Sequence, residues 1–370
     1  MQPFRRYQSF TAALWRGSDL RFSMVRTMSL LRALLSTARA VRQTPQLADG
    51  LPPDHAVLLD APDERLAPAL VAAALGDPEP AAKLLAATRG AAEWESRDRY
   101  VTRLAAFAHS RDAWLTGWLA DAPRDPDALL VKAEVAVRKA WESPARAERL
   151  RELGPLIDAA AEAAPRDPVP WRLALDHARG THATHTAFET LWEQAVCRAA
   201  HHYGCHVAAL KYLSTQRRGS HRECFDFCFD FAEQAATDAL PGSLIRALPV
   251  RAAFARLTAG GDAGSVPEDR MDAAADLAIE LSGRYAVADP WPAEVRNVLV
   301  YVLVGRARWA AALDQFRLIG PYATSFPWSW GSDDPLGRFL DARHGVRLEV
   351  AASVPLRGRA GRGRSGGHYA

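Results

Sequence analysis

The sequence predicts an all-α protein in which antiparallel helix hairpins stack as an α-solenoid, with a disordered tail at the C-terminus. Apolar residues recur at three- and four-residue spacing, as in ALLVKAEVAV and VAALKYL, which is the period of one helix face. The segment APRDP occurs at 122–126 and again at 164–168, an offset of 42 residues. Repetition at such a period is typical of stacked repeat architectures.

An Asp-Pro step separates successive helices of the predicted array. Each APRDP copy ends an alanine-rich stretch and precedes a new apolar one, and ADPW at 288–291 repeats the step. Proline disfavours helix in the residue before it and suits the first turn of the helix that follows. We therefore expect a new helix to begin after each of these steps.

A second pattern marks the turn inside a hairpin, in GDPEPAAKLL, GSHRECFDFC and GRARWAAALDQF. Glycine ends one helix, polar or cyclic residues turn the chain, and a small residue begins the packing face of the next helix. Glycine allows the left-handed conformation that ends many helices, and the small residue allows close approach of the two helices. The predicted packing residues are Gly76, Ala81, Gly219, Cys224, Gly305 and Ala312.

This order of glycine, turn, small residue and aromatic or leucine resembles the second helix of tetratricopeptide (TPR) repeats, over most of residues 60–320. The period of about 41 is longer than the roughly 34 of that family, so the resemblance is to degenerate, lengthened repeats. AHHYGCHVAALKYLSTQRRGSHRECFDF and GSLIRALPVRAAFARL also look like a group of uncharacterised TPR-like proteins of actinobacteria. The resemblance implies a helical-repeat fold and brings no assigned activity.

Three segments divide the chain. Residues 1–44 are a basic helical segment with eight arginines and one acidic residue, and residues 45–345 form the solenoid. Within the solenoid, an Asp-Pro step predicts a terminal capping helix near 333–343, because aspartate caps helices and proline suits their first turn. Residues 346–370 are expected to be extended, from the alternation in RLEVAASV, and then disordered, because a Gly/Arg-rich tail cannot build a core.

Composition argues against several function classes. The net charge is +3, but arginines concentrated at both ends leave the central part net acidic, whereas a nucleic-acid interface needs a basic face. The longest apolar run, VLVYVLV at 298–304, is shorter than the roughly 18–20 residues that span a bilayer. The N-terminus lacks the pattern of a signal peptide. The four cysteines lie between Cys197 and Cys228 rather than in a spread-out disulfide framework, which indicates a cytoplasmic protein.

Histidine and cysteine are concentrated in residues 201–228, which raises the alternative of a zinc- or cysteine-dependent protein centred on 197–228. Zinc needs four such ligands, and the candidates are Cys197, His201, Cys205, His206, His221 and Cys224. Two helices joined by a turn explain more of these residues. Cys224 occupies the position that alanine fills in the other repeats, and free cysteine packs as a small apolar residue. We therefore expect no metal and no cofactor.

Motifs of catalysis are absent from the sequence. It contains no HExxH, GxxxxGK[ST] or usable GxGxxG, each of which carries a known chemistry. The most distinctive loop is PYATSFPWSWGSDDP at 321–335. Its aromatic residues Phe326, Trp328 and Trp330 are candidates for binding a partner, since tryptophan is enriched at interface hot spots; alternatively they seal the last hairpin against the capping helix.

The sequence therefore predicts a cytoplasmic, non-enzymatic interaction scaffold or adaptor, whose concave surface holds a peptide or partner protein. No nucleic-acid partner is expected. The alternative use of the basic residues 1–44 is contact with an anionic membrane surface, because basic amphipathic helices bind such surfaces.

Overall fold

The structure is a computed structural model that describes residues 48–215, 221–259 and 266–353, with the backbone alone at 221–224. Gly219 and the predicted segments 1–44 and 354–370 lie outside the described residues. Most described residues are helical, and Gly50–Val346 forms one compact unit. No helix in the described part of the chain is long and apolar enough to cross a membrane.

The helices follow one another with short connections. In chain order they are α1 (Leu66–Ala74), α2 (Glu79–Gly90), α3 (Trp94–Ser110), α4 (Ala113–Asp121), α5 (Pro126–Glu142), α6 (Arg146–Arg151), α7 (Gly154–Ala163), α8 (Val169–Thr181), α9 (His185–Arg198), α10 (Tyr203–Thr215), α11 (His221–Asp238), α12 (Leu248–Thr258), α13 (Glu268–Ser282), α14 (Ala293–Gly305), α15 (Trp309–Ile319), α16 (Ser325–Trp328) and α17 (Pro335–Ser353). Two strands of two residues each, β1 (Leu58–Leu59) and β2 (Tyr322–Ala323), lie near the two ends of this series.

The Asp-Pro steps begin helices as the sequence predicts. At the two APRDP steps, at ADPW and at Asp77 of the first hairpin turn, an aspartate oxygen accepts a hydrogen bond from the backbone N–H two residues later. At all of these but Asp289, whose bond lies in the turn before α14, this satisfies one of the free donors at a helix start. The acceptor and donor residues are Asp77 and Glu79 (2.9 Å), Asp125 and Asp127 (2.9 Å), Asp167 and Val169 (2.9 Å), and Asp289 and Trp291 (2.8 Å).

Six helices form an inner row, in which each contacts the next: α3, α5, α8, α10, α12 and α14. Each of them also packs against a partner helix that follows it in the chain, and the partners are α4, α7, α9, α11, α13 and α15. Apolar residues form the core between the helices, for example Ala81 and Leu85 on α2 and Ala312 and Phe316 on α15, all of which are buried.

The two ends of the helical series meet. Strand β1 pairs in parallel with β2, so that Leu58 lies opposite Tyr322 and Leu59 opposite Ala323. Asp60 then accepts hydrogen bonds from the backbone N–H (3.0 Å) and the hydroxyl of Ser325 and from Arg103 of α3 (2.9 Å). An open repeat array, in which each repeat touches mainly its neighbours, does not require such contacts.

The turn glycines play different roles at the two positions that the structure describes. Gly76 has φ of +89° and takes the left-handed conformation that the sequence predicts. At the third copy the prediction is wrong, because Gly305 is helical and Ala307 is the left-handed residue, with φ of +55°. Gly305 instead allows close packing, since a Cβ there would lie 3.1 Å from Cδ1 of Leu257.

The capping helix is longer than predicted, and the expected extended segment is helical as far as Ser353. Asp334 accepts a hydrogen bond from the N–H of Gly337 (2.8 Å) and begins α17. RLEVAASV alternates for only a few residues, and so short a run does not separate strand from helix. Leucine, glutamate and alanine are strong helix formers, so the established helix continues through them.

Arg97 of α3 holds three hairpins together in the core. Its side chain is fully buried, with Nη2 2.7 Å from Oδ1 of Asp127 and Nε 2.5 Å from Oδ2 of Asp167. Nη1 donates to the backbone carbonyl of Leu85 (2.9 Å). The two aspartates stand at the starts of α5 and α8, so one guanidinium fixes both helix starts against α2 and α3.

Arg97→Met should lower the free energy of unfolding by about 3–5 kcal/mol, because the change leaves buried carboxylates without their cation. Arg89 still contacts Asp127, so most of the loss is expected from Asp167. Urea titration followed by circular dichroism measures the effect. Lys83→Met is the control, because Lys83 pairs with Glu79 on the exposed surface and should change stability little. A loss for Arg97→Met below about 1 kcal/mol would contradict a structural role for this network.

Candidate functional site

A cavity of about 450 Å³ lies among the six inner helices, within the usual size range of small-molecule sites, roughly 300–1,000 Å³. Residues of the closing segments 60–63 and 322–326 also line it. Charged side chains make up much of the lining. The acidic ones are Asp60, Asp63, Glu95, Asp98, Glu134, Asp176 and Glu294, and the basic ones are Arg99, Arg103, Arg138, Arg172, Lys211 and Arg251.

Arg172 of α8 gathers three carboxylates on one wall of the cavity. Its Nη2 lies 2.8 Å from Oδ1 of Asp98 on α3, and its Nη1 lies 2.8 Å from Oε2 of Glu134 on α5 and 3.7 Å from Oδ2 of Asp176. Burial by itself would lower the pKa of Arg172, but the three carboxylates raise it above its ordinary value. The arginine therefore stays charged and ties three inner helices to one another.

The start of α10 packs closely on the start of α3. Oε1 of Glu95 accepts a hydrogen bond from the backbone N–H of Tyr203 (2.6 Å). A Cβ on Gly204 would lie 2.0 Å from Oδ2 of Asp98, so a larger residue there would displace this carboxylate. The imidazole of His202 is buried, with Nε2 3.7 Å from that same carboxylate oxygen. Burial raises the pKa of Glu95, although the charge of a protonated His202 opposes the shift.

Arg251 of α12 closes another wall. Its Nε donates to the hydroxyl of Tyr203 (2.7 Å), and a terminal nitrogen pairs with Glu294 of α14. Its guanidinium also lies 5.0 Å from the ring centre of Phe326, within range of a cation–π contact. These contacts fix the orientation of a buried cation at the cavity surface.

A further wall is formed by Arg99 with the loop before α14 and by Asp60 of the closing segments. The guanidinium of Arg99 lies 4.2 Å from the ring centre of Trp291 and donates to the backbone carbonyls of Pro290 and Trp291. Burial would raise the pKa of Asp60, but Arg103 and Ser325 together lower it. The contacts that join the two ends of the helical series therefore also line the cavity.

Lys211 of α10 differs from the rest of the lining. Its side chain is exposed to the cavity. The surrounding protein lowers its pKa by desolvation, and the charge of Asp176 opposes this shift. Burial would in turn raise the pKa of Asp176, but Lys211, Arg179 and Arg172 together lower it. Charges on the two neighbouring helices α8 and α10 are thus coupled across this part of the cavity.

The candidate zinc ligands are spread over several environments. Cys197 and His201 are exposed, whereas Cys205 and His206 are buried. The sulfur of Cys205 lies 3.1 Å from Nδ1 of His202, and burial raises the pKa of its thiol well above the ordinary value. The side chains of His221 and Cys224 lie outside the described part. Within the described residues, no group of three or more His, Cys, Asp or Glu side chains could hold a metal ion.

The three loop aromatics separate in the structure. Trp328 is 3% exposed and donates its indole N–H to Oδ1 of Asn297 (2.8 Å), with its ring against Phe339 of α17. Phe326 lines the cavity. Trp330 is 53% exposed. Trp328 thus seals the last hairpin, Phe326 faces the cavity, and Trp330 is exposed at the surface.

Sequence reasoning missed the cavity residues, and it did not predict that His202 and His206 are buried. Charged residues at helical spacing, such as Glu95 and Asp98 or Arg172 and Asp176, usually mark a solvated face. The usable signal was compositional. Lysine is rare in this arginine-rich chain, with four residues, and Lys211 is the one that lines the cavity.

Comparison with known proteins leaves the family of this chain open. No family model, curated protein or solved structure matches it. The TPR-like resemblance therefore stays a prediction from the sequence.

Glu95→Gln should stabilise the protein at neutral pH relative to the wild type. The raised pKa of Glu95 means that its ionised form is disfavoured in the folded state. Ionisation of Glu95 therefore destabilises the folded wild type, and this loss of stability appears as pH rises through the folded-state pKa. Glutamine is neutral and can still accept the hydrogen bond from Tyr203. The stability difference should therefore shrink as pH falls toward the ordinary glutamate range.

Thermal or urea unfolding of both proteins across this pH range provides the measurement. Glu64→Gln, at an exposed position, should show no such pH-dependent difference. A difference for Glu95→Gln that grows on acidification would have the wrong sign and contradict the interpretation.

Proposed function

We propose that this chain is a TPR-like helical-repeat protein whose inner helices enclose a binding site for a small, polar, charged ligand. The observation that carries the proposal is the cavity lining, to which six helices from along the whole series contribute charged side chains. Five of these charged residues are held by ion pairs between helices, Asp98 and Glu134 with Arg172 and Glu294 with Arg251. Such a surface is preorganised for a ligand with its own charges and unsuited to an apolar one.

The enclosed volume supports a small molecule or the end of a chain rather than an extended peptide. An open solenoid would offer its concave face as a long groove, as the scaffold hypothesis from the sequence assumes. Here the strand pair of Leu58–Leu59 with Tyr322–Ala323 joins the two ends. A partner protein would therefore reach the cavity only with a terminus or a single side chain.

The proposed activity is binding without chemistry. The arginines of the cavity are engaged by carboxylates, carbonyls or aromatic rings, and the thiol of Cys205 has a raised pKa, which disfavours the reactive thiolate. A second candidate, acid–base catalysis by Glu95, is favoured by the raised pKa of that carboxyl within a cavity. Mass spectrometry of the recovered ligand separates the two, because only a catalyst returns it altered.

The cytoplasmic location and the contact of residues 1–44 with an anionic membrane stay predictions from the sequence. The membrane contact concerns residues outside the described part of the chain, and both predictions are independent of the cavity. Vesicle co-sedimentation with and without residues 1–44 tests the membrane contact.

Filling the cavity should abolish binding. Thr102 lines the cavity and is half-buried, so Thr102→Trp would occupy part of its volume. A library of amino acids, short carboxylic acids, polyamines and short peptides is screened against the full chain by thermal shift. Ligands that raise the melting temperature of the wild type should lose their effect in Thr102→Trp.

Thr116→Trp is the matched control, because Thr116 is exposed on α4 and outside the cavity lining. It should respond to the ligands as the wild type does. Ligands that stabilise Thr102→Trp as strongly as the wild type bind elsewhere, and that result would refute the proposed site.

A further inference from the structure

Lys211 stands apart among the thirteen charged residues that line the cavity. The other twelve each have a hydrogen-bond or ion-pair partner. Arg99, for example, is held by backbone carbonyls, Arg138 lies 3.8 Å from Glu134, and Glu95 accepts from a backbone N–H. Within the described residues, the amine of Lys211 makes neither a hydrogen bond nor an ion pair, although the residue is exposed and lines the cavity.

Asp176 is the carboxylate whose charge raises the pKa of Lys211. It does not neutralise this lysine alone. Asp176 is shared with Arg172 (3.7 Å) and Arg179 (3.4 Å). Arg251, Arg179 and Arg172 also act on the amine, and their positive charges disfavour its protonated form. Lys211 is thus a cation with unused hydrogen-bond donors in a partly desolvated place, which is the environment in which an added anion gains most.

We infer that the ligand of this cavity carries a carboxylate group and that Lys211 is the residue that pairs with it. This inference rests on the proposed function and specifies the ligand class of the same site. The three N–H donors of the ammonium group are free to bind carboxylate oxygens.

A carboxylate fits this position better than a phosphate. Phosphate sites usually combine bidentate arginines with the free N–H groups of a helix N-terminus. Arg172 and Arg251 already spend their donors on protein carboxylates. A ligand group with one negative charge, such as a carboxylate, is therefore favoured over a phosphate with two.

The scarcity of lysine makes a direct test possible. The chain contains four lysines, Lys83, Lys132, Lys139 and Lys211, so ¹³C-lysine labelling of the full chain gives four Cε signals by NMR. Lys211→Arg identifies the signal of Lys211 by its disappearance. Acetate, succinate, glutamate and inorganic phosphate are the probes, each titrated at constant ionic strength.

The carboxylates should shift the Lys211 signal in a saturable way and raise the pKa that it reports, because an adjacent anion favours the protonated amine. Lys83, Lys132 and Lys139 are internal controls and should move little. Phosphate should act more weakly than the carboxylates at equal concentration. A Lys211 signal that phosphate moves and carboxylates do not, or one that moves only as much as the controls, overturns the inference.

Binding measurements on variants complete the test. For a carboxylate from the library that binds the wild type, Lys211→Met should weaken binding at least about tenfold, since a charge-assisted hydrogen bond is lost. Lys132→Met, at an exposed lysine outside the cavity lining, should bind as the wild type does. If Thr102→Trp abolishes binding of a library ligand and Lys211→Met leaves it unchanged, this inference fails while the proposed function stands. If neither variant affects binding, both fail.

Discussion

The cavity depends on the ion pairs that Arg172 makes with Asp98 and Glu134. The first carboxylate comes from α3 and the second from α5, so the guanidinium on α8 connects three consecutive inner helices. Without this cation, several carboxylates would face one another across a small enclosed volume, and their repulsion would favour separation of the helices or uptake of protons. The ion pairs thus set the spacing of the helices and the charge that a ligand meets.

Two neighbouring residues of α3, Arg97 and Asp98, belong to two different ion-pair networks. Arg97 is fully buried and binds the aspartates that begin α5 and α8, whereas Asp98, the next residue, faces the cavity. Successive positions on a helix point about 100° apart. Buried ion pairs contribute little net stability relative to apolar packing. We therefore interpret Arg97 as a residue that specifies which helix starts meet, and Asp98 as one that orients Arg172.

The closing contacts give the cavity its remaining wall. Asp60 and Ser325 are far apart in the chain and adjacent in space, and the strand pair between them joins the first described elements to the later ones. This closure changes what the concave side can do. A groove would accept a peptide along its length, whereas a cavity of about 450 Å³ would, under the proposed function, select by size and by charge. We propose that this selection acts at Lys211, whose amine makes no hydrogen bond or ion pair within the described residues.

The sequence alone determined the helices and where they begin. Asp77, Asp125 and Asp167 each bond the backbone two residues later, a local interaction that residue type and the following proline largely decide. Only the tertiary structure decided which charges meet. The partners of Arg172 lie 74 and 38 positions away in the chain, at Asp98 and Glu134, and helical spacing makes every surface charge look alike. Tertiary structure likewise decided the burial of His202, the left-handed conformation of Ala307 and the helical end of α17. Each depends on contacts or on an adjoining helix that a short sequence window does not contain.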